Sequence, residues 1–283
     1  MTKAPRNITL AASRCGHILP AVKVTNTMQE PILKVQNLSR HFGGVHAVQG
    51  VSCAVMPGQI FAVIGPNGAG KTTFFNCLSG IVSPSDGTVE FEGTRIEKRP
   101  PYQIAALGMA RTWQTIRLFA HLTVLENVLI GCHSRGRCGF LSSLLYLPWQ
   151  RREERVLRQE ALEQMDRLDI AHLADAPVDT LPFLQQRRVE LARALAARPR
   201  LLLLDEPAAG LNTRETTHLG ELIRSIRQRG VSILLVEHDM SLVMDISDRV
   251  LVLDHGTPLA EGTPREIQEN EKVIATYLGS DED

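Results

Sequence analysis

The residues Gly65-Pro66-Asn67-Gly68-Ala69-Gly70-Lys71-Thr72-Thr73 have the types and spacing needed to wrap a chain of phosphates. The glycines let successive backbone N–H groups curl toward phosphate oxygens, and a helix N-terminus behind them favours negative charge. In such a loop Lys71 reaches the terminal phosphates and the Thr72 hydroxyl coordinates Mg²⁺. A second constellation closes the apolar run Leu201 to Leu204: Asp205 falls beside the metal, and Glu206, one residue further, can polarise an attacking water. A third, Glu237-His238-Asp239, ends the apolar run Val231 to Val236, where His238 can bond the terminal phosphate and hold that water. Each has a plain alternative: a Gly-rich turn, two acids capping a loop, a structural histidine. Together, in one chain, they point to binding and hydrolysis of a nucleoside triphosphate.

Buried strands must stand behind these residues. Ile60 to Ile64 is a continuous apolar run of strand length, which in a parallel sheet means burial on both faces. Thr73 to Ser79 predicts the helix that follows, with Gly80 as its C-terminal cap. Ile32 to Leu38 and Val51 to Val55 have the β-branched enrichment of strands, and Pro57-Gly58 then makes a turn. From about Thr115 to Asp179 the pattern becomes helical: in Arg151 to Leu168 the apolar Val156, Leu157, Leu162, Met165 and Leu168 recur roughly once per turn. Within this insert the loop around Arg135 to Gly139 reads as flexible, and Phe140 to Trp149 as an apolar hairpin or docking element. Strands resume at Leu201 to Leu204, Val231 to Val236 and Val250 to Leu253, with a helix between the first two whose Leu219, Leu222, Ile223 and Ile226 share a face. Strands alternating with helices imply a parallel sheet with right-handed crossovers, so the expected class is α/β, with a core split around a helical insert.

Bulk composition excludes several other roles. Lys plus Arg total 31 and Asp plus Glu total 31, which leaves no net basic field for a nucleic-acid partner. The five cysteines are odd in number and scattered, so a disulfide framework is not expected and a reducing compartment fits best. Cys132 and Cys138 bracket His133, but no second cysteine pair completes a tetrahedral metal site. No run approaches the roughly 18 apolar residues of a membrane span. The first 27 residues carry Lys3, Arg6, Arg14 and Lys23 with no acid, and lack the apolar centre of a secretory signal. Residues 1–28 are read as a disordered extension, with Met28 a candidate start.

The order of the phosphate loop, Gln114 ahead of the helical insert, Gln185-Gln186-Arg187-Arg188 opening a helix, Leu204-Asp205-Glu206-Pro207, Ala209-Gly210-Leu211-Asn212 and Glu237-His238-Asp239 resembles the ATP-binding cassette (ABC) ATPases, from about residue 30 to the C-terminus. Phe42-Gly43-Gly44, Arg111-Thr112-Trp113-Gln114 and the ending from Gly256 through Gly279 make the likeness closest to the ATP-binding subunits of bacterial high-affinity branched-chain amino acid importers. The resemblance implies a P-loop NTPase (RecA-like) core with an antiparallel β subdomain and an inserted α-helical subdomain. The ATPase domain would span 29–283, with core and β subdomain at 29–113 and 186–283 and the helical subdomain at 114–185. It also implies that Phe42 stacks on adenine, that Gln114 binds Mg²⁺ and senses the terminal phosphate, that Glu206 is the catalytic base and His238 the switch, and that Asn212 belongs to a contact across a nucleotide-bound dimer. The implied cofactors are ATP and Mg²⁺. The implied partners are a second ABC ATPase subunit, the same or different, two membrane permease subunits, and indirectly an extracytoplasmic substrate-binding protein, on the cytoplasmic side of a bacterial inner membrane.

One stretch departs from the family. Its signature has a glycine immediately before the first glutamine, whereas this chain reads Leu181-Pro182-Phe183-Leu184-Gln185. Leu184 should obstruct backbone approach to ATP held by the partner, and Pro182 lacks the hydroxyl that serine supplies. Urea or amide uptake and lipopolysaccharide export remain alternative systems, and a soluble cassette in translation or DNA repair, or a binding module without catalysis, are rival classes.

Overall fold

The computed structural model describes residues 30–132 and 148–278. The N-terminal extension, the Cys138 and Arg135 to Gly139 positions, most of the Phe140 to Trp149 segment and the final residues from Gly279 lie outside them.

Two sheets share the molecule. The first is antiparallel, in the order β2-β1-β4-β5, built from β1 (Leu33–Phe42), β2 (Val45–Val55), β4 (Asp86–Phe91) and β5 (Thr94–Arg95). Strands β1 and β2 run longer than their apolar stretches predict, because their outer halves are exposed and carry polar residues paired across the Gly43-Gly44 turn. The second sheet has the order β10-β9-β3-β8-β7-β6. Its strands are β3 (Ile60–Ile64), β6 (Met109–Arg111), β7 (Leu201–Asp205), β8 (Ser232–Val236), β9 (Arg249–Asp254) and β10 (Thr257–Gly262). All its pairings are parallel except the β9–β10 hairpin.

Burial on both faces explains the unbroken apolar runs. Phe61, Val63, Leu203, Leu234 and Leu251 point into a core shared with the antiparallel sheet and with helix α1 (Lys71–Leu78), whose Phe74, Phe75 and Leu78 are fully buried. Their neighbours Ile60, Ala62, Ile64, Leu202, Leu204, Ile233 and Leu235 face the opposite core. There they meet helices including α5 (Phe183–Ala196), α6 (Thr213–Gln228) and α7 (Met240–Ile246). Between α2 (Pro101–Ala106) with β6 and α5 come α3 (Val124–Cys132) and α4 (Pro148–Arg167), which pack on each other and on α5. In α4 the predicted stripe is only partly inward: Met165 and Leu168 beyond its end are buried, while Val156 is half exposed. Two short helices, α8 (Pro264–Gln268) and α9 (Glu271–Leu278), follow β10. Among the described residues no helix is long and apolar enough to cross a membrane.

Sheet order is what assembles the site. Because β8 lies between β3 and β7, and β6 lies beyond β7, the segments after β3, β8, β7 and β6 stand side by side at the C-terminal ends of parallel strands. They carry the phosphate-type loop, His238, Glu206 and Gln114 respectively.

Candidate active site

The loop from Gly65 to Gly70 leads from β3 into α1, which begins at Lys71, two residues earlier than the sequence pattern predicts. Gly70 occupies the helix N-cap with φ 93°. A side chain there would meet the Ala47 carbonyl oxygen at 2.2 Å, and one at Gly65 would meet that of Leu253 at 2.1 Å. The loop is thus clasped between the backbone of β2 and the β9–β10 turn, whose Gly256 N–H donates to the Ala69 carbonyl at 3.2 Å. Lys71 is 5% exposed, and its ammonium donates to the carbonyls of Gly65 and Pro66 at 2.7 and 2.9 Å. Burial lowers its pKa, and the Glu206 carboxylate opposes that shift.

Glu206 is held from two sides. Its Oε2 accepts from Gln114 Nε2 at 2.6 Å, and its Oε1 lies 2.7 Å from His238 Nε2, which donates in its Nε2–H tautomer. Its backbone has φ 46°, a left-handed conformation uncommon for a side-chain-bearing residue, and its N–H is bonded to the Val236 carbonyl at 2.9 Å. Asp205, one residue earlier, is 4% exposed and forms a buried ion pair with Arg111 at 2.7 Å. Asn67 to Thr73, Glu206 and His238 line one open cleft, completed across from them by Val45, His46, Ala47 and His255.

The fold therefore brings Asn67, Gly68, Ala69, Gly70, Lys71, Thr72 and Thr73 together with Glu206 and His238, and joins Gln114 to them through Glu206. Other expected site residues are not among those lining this cleft. Phe42 sits at the end of β1, 46% exposed, with the Arg40 guanidinium 4.4 Å from its ring centroid. Leu181 is buried, but Pro182 and Phe183 are exposed, and Leu184 and Gln185 are partly exposed. Helix α5 begins at Phe183, with Pro182 as its N-cap, rather than opening at Gln185, because the fixed proline φ is followed by an extended ψ of 152° that breaks into the helix there. Asn212 caps α6: its side chain accepts from the Glu215 N–H, while the Glu215 carboxylate accepts from the Asn212 N–H, both at 3.0 Å.

Sequence reasoning gave no role to several residues that build this site. Arg111 bonds Asn76, Ser79 and Asp205, and its guanidinium lies 4.4 Å from the Trp113 ring centroid. Burial lowers its pKa, opposed by Asp205. Arg187, fully buried in α5, donates to the carbonyls of Trp113 and Gln114 at 2.8 and 2.9 Å and pairs with Glu190 at 2.7 Å, which ties the Gln114 segment to the helix. Buried Asn127 bonds Phe119 in both directions and fixes the chain beyond Gln114. Glu237 accepts backbone N–H bonds from Ala208 and His238; burial pushes its carboxyl up, those bonds pull it down, and the Glu206 charge raises it again. For Arg111 and Glu237 a polar residue at the end of a strand was the available signal, but Asp205 and Ala208 lie 94 and 29 residues away in sequence; Arg187 and Asn127 lie inside helices, where no such signal marks them.

Chemically, the cleft pairs an N–H-rich loop and a buried ammonium with a carboxylate steered by a histidine and an amide. Thr72, Asp205 and Gln114 carry the oxygen types a hard cation takes, a hydroxyl, a carboxylate and an amide, with the Asp205 carboxylate paired to Arg111 and the Gln114 nitrogen engaged by Glu206.

Comparison with known proteins gives a consistent family. The family described as ABC transporter matches residues 48–209, and that described as branched-chain amino acid ATP-binding cassette transporter matches residues 257–283. The high-affinity branched-chain amino acid transport ATP-binding protein BraF of Pseudomonas aeruginosa is 46% identical over 253 residues, covering 89% of this chain and 99% of its own. The protein of the same description, LivG, from Escherichia coli K12 is 45% identical over the same coverage. Among solved structures, the ADP conformation of MJ1267, an ATP-binding cassette of an ABC transporter, superposes with a TM-score of 0.78 at 32% identity, covering 88% of this chain and 99% of that one.

Proposed function

From the premise that this chain belongs to the ABC transporter family and is one of its ATP-hydrolysing cassettes, we propose that it energises a branched-chain amino acid importer. The cargo reading is supported by the names of the relatives and by the match at residues 257–283. The chain would sit on the cytoplasmic face of the inner membrane with a second cassette and two permease subunits, and an extracytoplasmic binding protein would deliver the amino acid to the permeases. Residues 114–185 would form the helical subdomain that meets the permease, set between the two parts of the core at 29–113 and 186–283.

The observation that carries the catalytic reading is the double grip on Glu206 by Gln114 and His238, beside the lysine-bearing loop. Backbone N–H groups from Asn67 to Thr73 and the Lys71 ammonium bind the phosphates of ATP, and Phe42 stacks on its base. Mg²⁺, held by Thr72, Asp205 and Gln114 together with phosphate oxygens, would neutralise charge on the terminal phosphates. Glu206 takes the proton of the attacking water, and His238 and Gln114 hold its carboxylate in line. Asn212 uses its amide oxygen, its N–H and its carbonyl within the start of α6, so a contact across the dimer would come from its amide nitrogen.

At the other composite site, Leu181 to Gln185 would face ATP held by the partner. Leu184 and the exposed Phe183 ring put side chains where close backbone approach is needed, so that site is the weaker one. An unequal pair follows if the partner cassette differs, and low activity at both sites if the chain pairs with itself.

Two substitutions test the reading. Lys71→Ala should abolish tight MgATP binding, and wild-type affinity in that variant overturns nucleotide binding at this loop. Glu206→Gln should retain MgATP yet lose about 10²- to 10⁴-fold in turnover, the range of a positioned general base; undiminished turnover removes Glu206 from the chemistry.

A further inference from the structure

Glu237 is a buried carboxylate with no part in the steps above. It is 3% exposed, directly after β8, and its two oxygens serve two different loops. Oε1 accepts from the Ala208 N–H at 2.6 Å. Oε2 accepts from the His238 N–H at 2.9 Å and, at longer range, from Asp239 at 3.4 Å. Ala208 belongs to the segment that leaves Glu206 and runs through Gly210 to the α6 cap at Asn212. Gly210 lies against Phe183, the first residue of α5, where an added Cβ would come to 3.4 Å from the ring.

A chain of hydrogen bonds therefore runs from the Ala208 N–H to Glu237, and from there to the backbone of the histidine that holds Glu206, while Gly210, two residues along the same segment, lies near the exposed start of α5. Only a group that accepts on both sides and donates on neither can satisfy N–H groups from both loops, and an ionised carboxylate is that group. An amide would turn its NH₂ toward one of them, and a shorter acid could not span both.

We propose that Glu237 is a positioning residue that couples the 208–212 loop to His238, so that the placement of that loop sets how firmly His238 holds Glu206. The coupling rests on the hydrolytic reading of Glu206 and His238.

The test uses the transporter complex purified through a tag on this chain. Glu237→Gln should lower kcat roughly tenfold while leaving KM for MgATP within about twofold, the split expected when an interaction made in the transition state is lost. In a His238→Ala background the same substitution should have little further effect on kcat, because residues acting as a unit are non-additive. Unchanged kcat, or an equal fold-loss in both backgrounds, overturns the proposal; the second result marks a merely structural role. Amide hydrogen exchange on the unmodified protein gives an answer that does not depend on the variant folding. The Ala208 and His238 amides should both be protected, and an Ala208 amide exchanging at the rate of an open loop also overturns it. Retention of MgATP affinity in Lys71→Ala would instead remove the hydrolytic reading, whatever Glu237→Gln does.

Discussion

Helices α1 and α5 both begin where phosphate is proposed to lie, and they begin differently. Before α1, Gly70 takes a positive φ and packs within a side chain's width of the Ala47 carbonyl, so the backbone itself forms the binding surface. Before α5, Pro182 provides the cap, the Phe183 side chain is exposed and that of Leu184 is partly exposed. Both ends carry the same partial positive charge from aligned peptides. What separates them is how closely an anion can approach, and the lesson is that a helix N-terminus becomes a phosphate site only when side chains leave its N–H groups accessible.

The contrast extends to how each helix is rooted. Helix α1 is held by aromatic and aliphatic packing between the two sheets, through Phe74, Phe75 and Leu78. Helix α5 is held in part by buried Arg187, which pairs with Glu190 one turn along the same helix and donates to the Trp113 and Gln114 carbonyls, fastening the Gln114 segment to the helix. The largest effect is expected here: Arg187→Ala leaves Glu190 as an uncompensated buried charge and should cost about 3–5 kcal/mol in chemical denaturation. A loss below about 1 kcal/mol would mean that Arg187 does not root the helix.

At α1, Gly70→Ala forces a methyl against the Ala47 carbonyl and a strained φ on alanine. Strain of this kind costs about 1–3 kcal/mol, and MgATP affinity should fall by about tenfold or more. Unaltered affinity, measured by titration, would break the claim that close backbone approach makes this end the binding one.

The smallest effect carries the opposite sign. Leu184→Gly should raise ATP hydrolysis by the assembled transporter a few-fold while lowering chain stability by up to about 1 kcal/mol, the helix penalty of glycine. An unchanged hydrolysis rate would equalise the two helix ends and sink the unequal-pair reading.

Much of the candidate site was legible before any coordinates. The glycine spacing at 65–70, the acids after Leu201 to Leu204 and the histidine after Val231 to Val236 each pair a chemical group with a local element that places it, and a one-dimensional pattern suffices for that. Strands β4, β5, β6 and β10 were not read, being short, polar or edge elements without strong periodicity. The roles of Arg111, Arg187, Asn127 and Glu237 were hidden for a different reason. Each looks like an ordinary polar residue until the chain folds, since only the packed structure shows that the group is buried and which backbone or charged group it satisfies.

The amino-acid order alone determined the phosphate loop, the acid pair and the alternating strand–helix pattern, because backbone conformation and hydrophobic burial act over a few residues. Tertiary structure alone decided that strand order would set Gln114, Glu206 and His238 beside Lys71, that Arg111 would claim Asp205, and that Glu237 would bridge two loops. Hydrogen bonds and ion pairs between distant segments depend on distances of about 3 Å, which only the packed sheet and its helices can set.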